Sequence, residues 1–236
     1  MDLVLSLFPG IGLLDRAFEL EGFCVVRGPD LLWGGDVKLF HSPSGVFTGI
    51  IGGPPCQAHS TYAGINRAIG NRIAEDLVPE FVRVIVEARP HWFLMENVPK
   101  VPSIEIEGYS VHRQLFDNRW LGEEQSRKRA FQFGTLSGAR LEIVDFALEH
   151  PCRETACMAT EGASGRIKFR RGKSIYTPRR DFKRFCELQG LASDFLSDAP
   201  LTNEGKFRMV GNGVPLPLGR ALARAVRNAM ARKEEK

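Results

Sequence analysis

The first thirteen residues constrain this chain more than any later stretch. Asp2–Phe8 is an apolar run of strand length, and Phe8-Pro-Gly-Ile-Gly-Leu13 follows with no linker before a helical pattern that spans about Leu13 to Leu20. A strand that hands over to a helix through a glycine turn is the opening of a doubly wound parallel sheet. Glycines at such a turn let a ligand approach the backbone closely, which is how nucleotide-like cofactors are usually met. The two glycines equally suit a plain structural turn.

The remaining pattern repeats that alternation. Short strands are expected at Phe23–Arg27, Val46–Ile51, His91–Met95 and Ala130–Phe133, with a helix over Val78–Ala88 that stops before Pro90. From about Ser137 to Lys173 small, polar and basic residues replace the periodic pattern, which predicts a loop-rich insert. Leu216–Arg232 is an amphipathic helix. The expected organisation is a body over residues 1–136, a short insert over 137–190 and a returning segment over 191–236.

Composition narrows the setting. No apolar run approaches the ~20 residues that a membrane helix needs, and the N-terminus lacks a basic leader, so a cytoplasmic protein is expected. The five cysteines follow no disulfide spacing, which suits reduced thiols. His150, Cys152 and Cys157 offer three ligands without regular spacing, so no metal site is expected. The net charge of +4 is mild, but Arg166 to Arg184 holds nine Lys or Arg against one acid, Asp181. Such a run is either a solvated face or a surface for phosphates.

Three segments carry chemistry. Gly52-Gly-Pro-Pro-Cys56-Gln-Ala-His-Ser60 leaves a strand directly, and its prolines and glycines set Cys56 on a rigid corner where open α/β sheets bind ligands. A cysteine held that way suits a nucleophile better than a core side chain. Glu96-Asn97 ends the His91–Met95 strand, where partial desolvation would raise the carboxyl pKa and make Glu96 a proton donor near neutrality. Arg127 and Arg129 are two apart, so an extended chain puts both on one face, able to point into one cleft. Asp30 and Asp36 follow later strands and suit either a ribose or adenine contact or a cap.

Taken in order, these segments resemble the cytosine-5 DNA methyltransferases. Phe8-Pro-Gly-Ile-Gly is similar to the cofactor loop of that family, Gly53-Pro-Pro-Cys56-Gln to its nucleophile motif, and Glu96-Asn97-Val98 to its catalytic glutamate motif. Gln125-Ser-Arg127-Lys-Arg129 matches its Gln-x-Arg-x-Arg motif. Thr177-Pro-Arg-Arg180 through Leu188-Gln189-Gly190 is similar to the segment supporting target recognition. Gly211-Asn212-Gly-Val214-Pro is expected to open the last helix. His59 stands where an aromatic is common, Leu13 where a third glycine is frequent, and Glu123-Glu124 where Val-Pro is common.

The resemblance implies a class I methyltransferase fold and methyl transfer from S-adenosylmethionine, with S-adenosylhomocysteine as product, to cytosine in double-stranded DNA. It implies catalytic roles for Cys56, Glu96, Asn97, Arg127 and Arg129. Cofactor contacts are expected from Phe8, Pro9, Gly10, Ile11, Gly12, Leu13, Asp30, Asp36, Pro54, Asn212 and Val214. Gln57, Ser60, Arg67, Arg170, Arg171, Lys173 and Arg179 are the expected nucleic-acid contacts, and Gln57–Ala74 a loop that closes over DNA. A monomer of the restriction-modification kind is expected. An RNA cytosine-5 methyltransferase, a silent DNA-binding regulator and a nicotinamide oxidoreductase with a redox cysteine remain the alternatives.

Overall fold

The computed structural model describes residues 2–55, 75–149, 151, 153–155, 166–170, 173–177 and 180–231, with backbone alone for 155, 166–170 and 173–177. β1 (Leu3–Leu7) leads into α1 (Leu13–Leu20) and β2 (Cys24–Arg27), followed by β3 (Gly49–Gly52), α2 (Val78–Ala88) and β4 (Trp92–Asn97). Then come β5 (Ser110–Asp117), β6 (Gln125–Ser126), β7 (Lys128–Thr135), β8 (Glu154–Thr155), β9 (Arg166–Arg170) and β10 (Lys173–Thr177). α3 (Phe182–Leu188), α4 (Asn203–Asn212) and α5 (Leu216–Ala231) close the described chain. Both α1 and α2 occupy the residues that the sequence periodicity assigns to them.

The main sheet runs β2-β1-β3-β4-β7-β5. Its first four strands are parallel, and β7 pairs antiparallel with both β4 and β5. Helices cover both faces. Phe18 of α1 and Leu222 and Val226 of α5 pack with Val4, Trp92 and Leu94 on one side. Phe81 and Ile85 of α2 pack with Leu5, Ile50, Phe93 and Met95 on the other. A sheet buried on both faces explains why its strands read as apolar runs rather than as alternation. The α/β, mostly parallel, doubly wound expectation is met.

Three features depart from the expectations. β5 was not visible in the sequence because it is an edge strand whose residues are mostly half-buried, which blurs the hydrophobic signal. The stretch expected to be loop-rich contains β9 and most of a hairpin with β10. Asn212 does not open the last helix: it is the final residue of α4, and α5 begins at Leu216 beyond an extended Gly213.

A third cluster joins Leu13 at the start of α1 to Phe185 and Leu188 of α3 and to Phe207 and Val210 of α4. α3, on the expected insert side of residue 190, therefore packs with the body.

Candidate active site

The site forms at the carboxyl ends of the parallel strands. β1 stops at Leu7, and the turn that follows is backbone in unusual conformation: Phe8 has φ 55°, Gly10 54° and Gly12 75°. Left-handed geometry at Phe8 is uncommon for a side chain of that size, and such strain clusters where a loop is shaped for a ligand. Gly12 N–H closes the turn on the Pro9 carbonyl at 2.8 Å. A Cβ at Gly10 would meet nothing within 4 Å, so the space above the loop is open.

Asp30 braces this loop. One carboxylate oxygen accepts from the Gly10 N–H at 2.8 Å, the other from the Leu32 N–H at 2.7 Å. Trp33 Nε1 donates to the Gly10 carbonyl at 2.7 Å, so both backbone groups of Gly10 are held from the segment after β2. Asp36 caps a short turn through the Lys38 N–H at 3.0 Å. Both acids therefore make the cap contacts that the sequence left as one of two readings. Trp33 was not singled out, and only its position three residues after Asp30 could have suggested it.

Beneath the loop lies a second brace. Asp15, fully buried, accepts a 2.5 Å hydrogen bond from Ser6 Oγ of β1 and pairs with Arg27 Nε of β2 at 3.2 Å. Burial pushes its carboxyl above the ordinary range, while Ser6 and Arg27 act to lower it.

The register of β3 on β4 sets Gly52 opposite Met95, so Gly53-Pro54-Pro55 and Glu96-Asn97 leave neighbouring strands side by side. Asn97 Nδ2 donates to the Pro54 carbonyl at 3.1 Å, and Asn97 is buried. Gly53 lies close to the carboxylate: a Cβ there would stand 3.1 Å from Glu96 Oε2, so the Glu96 side chain would have to give by a few tenths of an ångström. The proline corner is thus pinned by Asn97 and abuts Glu96. Cys56 itself, with Gln57, Ser60, Arg67 and the whole Gln57–Ala74 stretch, lies outside the described residues.

Antiparallel pairing of β7 on β4 brings Arg129 to Glu96. Asn97 faces Ala130, and Arg129 Nε approaches Glu96 Oε1 at 3.1 Å. The Glu96 side chain is only 13% exposed. Burial raises its pKa, and the nearby Arg129 and Arg127 charges and the Arg129 hydrogen bond oppose that rise. The result is a carboxyl that keeps its proton to higher pH than usual, beside a guanidinium already aimed at it.

Arg127 is placed differently from Arg129. It is 3% exposed, and its Nη2 donates to the Gly211 carbonyl at 2.8 Å. Arg127 therefore does not share an open cleft with Arg129; it ties the strand to the end of α4 and acts on Glu96 through charge. Gln125, two residues earlier, donates to Leu188 O at 2.6 Å and to Gln189 Oε1 at 3.1 Å, and Gln189 donates to Val210 O at 2.7 Å. Three alternate residues of one motif thus reach α3, the end of α4 and the carboxylate.

The other expected contacts divide. Leu13 and Val214 are buried, whereas Asn212 is exposed. Arg170 and Lys173 are opposite each other at the end of the β9–β10 hairpin. Arg171, Arg179, His150, Cys152 and Cys157 lie outside the described residues, and no cluster of three or more His, Cys, Asp or Glu able to hold a metal occurs among the described ones. No helix of the described residues is long and apolar enough to cross a membrane.

The order of motifs and this geometry agree with a family model, C-5 cytosine-specific DNA methylase, which matches residues 35–162. The chain belongs to that family. Among its relatives is the Type II methyltransferase M.FnuDI of Fusobacterium nucleatum, 30% identical over an alignment of 180 positions that covers 64% of this chain and 51% of that protein. Another is the Type II methyltransferase M.MthTI of Methanothermobacter thermautotrophicus, 30% identical over 162 residues, 56% of this chain and 48% of that one. This methylase-family chain spans about half the length of these curated relatives. Its fold is also that of the Entamoeba histolytica methyltransferase EhMeth, with a TM-score of 0.70 at 12% identity over 98% of this chain and 99% of that one. The S. pombe Dnmt2 methyltransferase superposes with a TM-score of 0.65 at 15% identity, over 97% and 99% of the two chains.

Proposed function

We propose that this chain methylates cytosine at carbon 5 in double-stranded DNA, with Cys56 as nucleophile and S-adenosylmethionine as donor. The observation that carries this reading is the Glu96–Arg129 pair at 3.1 Å, set against the Gly53-Pro54-Pro55 corner that leads into Cys56. Two groups that can hold one edge of a pyrimidine stand beside the segment that delivers a thiol.

The loop Phe8–Gly12 fits the donor, since Gly10 opens onto free space and its backbone is held from behind by Asp30 and Trp33. When bound, S-adenosylmethionine supplies a methyl group from its sulfonium and leaves as S-adenosylhomocysteine. Leu13 and Val214 would back that pocket; Pro54 and the exposed Asn212 would border it.

Carbon 5 of cytosine is too poor a nucleophile to be methylated unaided. Attack of the Cys56 thiolate forms a sulfur–carbon 6 bond and moves an electron pair towards carbon 5. Glu96, whose pKa burial raises, protonates ring nitrogen 3, and Arg129 hydrogen-bonds the ring carbonyl as charge builds there. After methylation the carbon 5 proton leaves to a solvent base, the ring double bond reforms, the Cys56 thiolate is expelled and ring nitrogen 3 returns its proton to Glu96. The base must be flipped out of the helix first, at a cost of a few kcal/mol. The family description, C-5 cytosine-specific DNA methylase, favours DNA over RNA, and the Type II methyltransferase relatives favour a restriction-modification setting.

A fluorine at carbon 5 blocks the elimination and separates the two halves of this scheme. Wild-type protein with S-adenosylmethionine is expected to form a denaturation-resistant adduct with 5-fluorocytosine duplex DNA. The Cys56→Ala variant is expected to bind S-adenosylhomocysteine by calorimetry yet form no adduct. An adduct with the variant overturns the assignment.

A further inference from the structure

Gly12 ends the glycine turn and stands at the head of α1. A Cβ at this position would lie 2.8 Å from Arg27 Nη2, 3.1 Å from Arg27 Cζ and 3.3 Å from Asp15 Oδ2. The guanidinium at the end of β2 therefore fills the space that any larger residue here would need. Gly12 sits on an ion pair.

The two partners have different surroundings. Asp15 is fully buried in the first turn of α1, whereas the Arg27 side chain is 54% exposed. A pair with both partners in water would leave so long a side chain free to wander. Here the acid is fixed: Ser6 Oγ of β1 donates to Oδ1 at 2.5 Å, and Oδ2 meets Arg27 Nε at 3.2 Å. Glu19, one turn further along α1, adds a repelling charge. Arg27 is thus drawn back from solvent and held beneath the turn by a carboxylate that no step of the methyl transfer uses.

We propose that Asp15 and Arg27 are positioning residues: their ion pair, and not merely the bulk of the guanidinium, seats Gly12 and so shapes the turn that receives the methyl donor. The proposal rests on the reading of S-adenosylmethionine as donor. It adds a charge-held seat under Gly12 to the hydrogen bonds by which Asp30 and Trp33 hold Gly10. Donor affinity then responds to pH through a group that never touches the donor. Burial raises the pKa of Asp15, while Ser6 and Arg27 act to lower it. Acidification that protonates Asp15 dissolves the pair and weakens donor binding. Without the Arg27 charge the carboxyl takes its proton at a higher pH, so the weakening begins at a higher pH.

The test reads the affinity of S-adenosylhomocysteine by calorimetry across a pH series. Arg27→Met keeps the length of the side chain and removes its charge. It is expected to weaken binding near neutrality by about 5–150-fold, the usual span for coupled sites, and to move the acid limb of the profile upward. Arg27→Lys restores the charge and is expected to return that limb towards its wild-type place. The double variant Asp15→Asn/Arg27→Met leaves no buried charge unpaired, so it remains measurable should Arg27→Met not fold. It is expected to bind as weakly as Arg27→Met. Wild-type affinity in either methionine variant overturns the proposal, as does an Arg27→Lys profile identical to that of Arg27→Met.

Amide hydrogen exchange at Gly12 in donor-free protein reads the turn itself and is expected to quicken in Arg27→Met. Transfer of labelled methyl from S-adenosylmethionine to duplex DNA is measured on wild-type protein. Transfer with unchanged Gly12 exchange and donor affinity in Arg27→Met sinks the seat alone. Quickened exchange without transfer by the wild type sinks the methylation reading and leaves the seat standing.

Discussion

Replacing Gly213 by alanine probes how the cofactor loop and the C-terminal helices are joined. Gly213 links α4 to α5 with φ −73° and ψ 161°, a conformation open to any residue, so no backbone strain is introduced. Space decides the outcome. A Cβ at this position would stand 2.3 Å from Leu13 Cδ1, 2.9 Å from its Cγ and 3.1 Å from its Cβ. Leu13 is 2% exposed and packed among Phe185, Phe207 and Val210, so it has little room to swing clear. Forcing a methyl into such a contact costs about 1–3 kcal/mol, which in a chain of this size lowers Tm by about 2–12 °C. Because Leu13 directly follows the Phe8–Gly12 turn, S-adenosylmethionine affinity is expected to fall as well.

The cause can be isolated by a double-mutant cycle read by urea unfolding. Leu13→Ala alone removes packing at a cost of about 2–5 kcal/mol, and it also removes Cδ1 and Cγ, the two atoms that the new methyl approaches most closely. The double variant is then expected to be hardly less stable than Leu13→Ala, giving a coupling of about 1–3 kcal/mol. Additivity of the two changes within about 0.5 kcal/mol would refute the contact.

Two further outcomes follow from the hydrogen-bonded motif. Arg127 holds the Glu96 carboxyl down against burial, so Arg127→Met is expected to raise that pKa further. An acid with a raised pKa stays protonated to higher pH, so the alkaline limb of the kcat–pH profile should move upward; a downward shift contradicts the assignment of Glu96 as proton donor. Gln189→Leu removes one donor to the Val210 carbonyl, which keeps the Gly213 N–H, and one acceptor of Gln125 Nε2, which keeps Leu188 O. Its expected cost is about 0.5–1.5 kcal/mol for each hydrogen bond lost, and an unchanged urea midpoint would show that these contacts add nothing.

Local signals and the site's residues were legible together because both depend on short stretches of chain. The Val78–Ala88 helix shows itself by apolar spacing, and the cofactor turn by glycines at fixed offsets. The proline corner of Cys56 and the carboxylate of Glu96 stand out because their neighbours are unusual. Edge strand β5 gave no such signal, since half-buried residues carry a weak pattern. The β9–β10 hairpin did carry a period-two pattern, Arg-Ile-Lys-Phe-Arg in β9, but it is short and lies among glycines and basic residues that read as loop.

Roles that depend on distant partners needed the fold. Asp30 and Asp36 have the right chemistry for a ribose or an adenine, yet their oxygens meet backbone N–H groups. Arg127 and Arg129 look equivalent in an extended segment, but one is buried against Gly211 and the other faces Glu96.

The amino-acid order alone determined the α/β architecture and the family's motifs, because propensity, periodicity and side-chain chemistry are properties of neighbouring residues. Only the tertiary structure decided which arginine meets the carboxylate, what pins the proline corner and what holds the glycine loop. Those contacts join residues separated by tens of positions, and strand register, which no local stretch encodes, sets their distances.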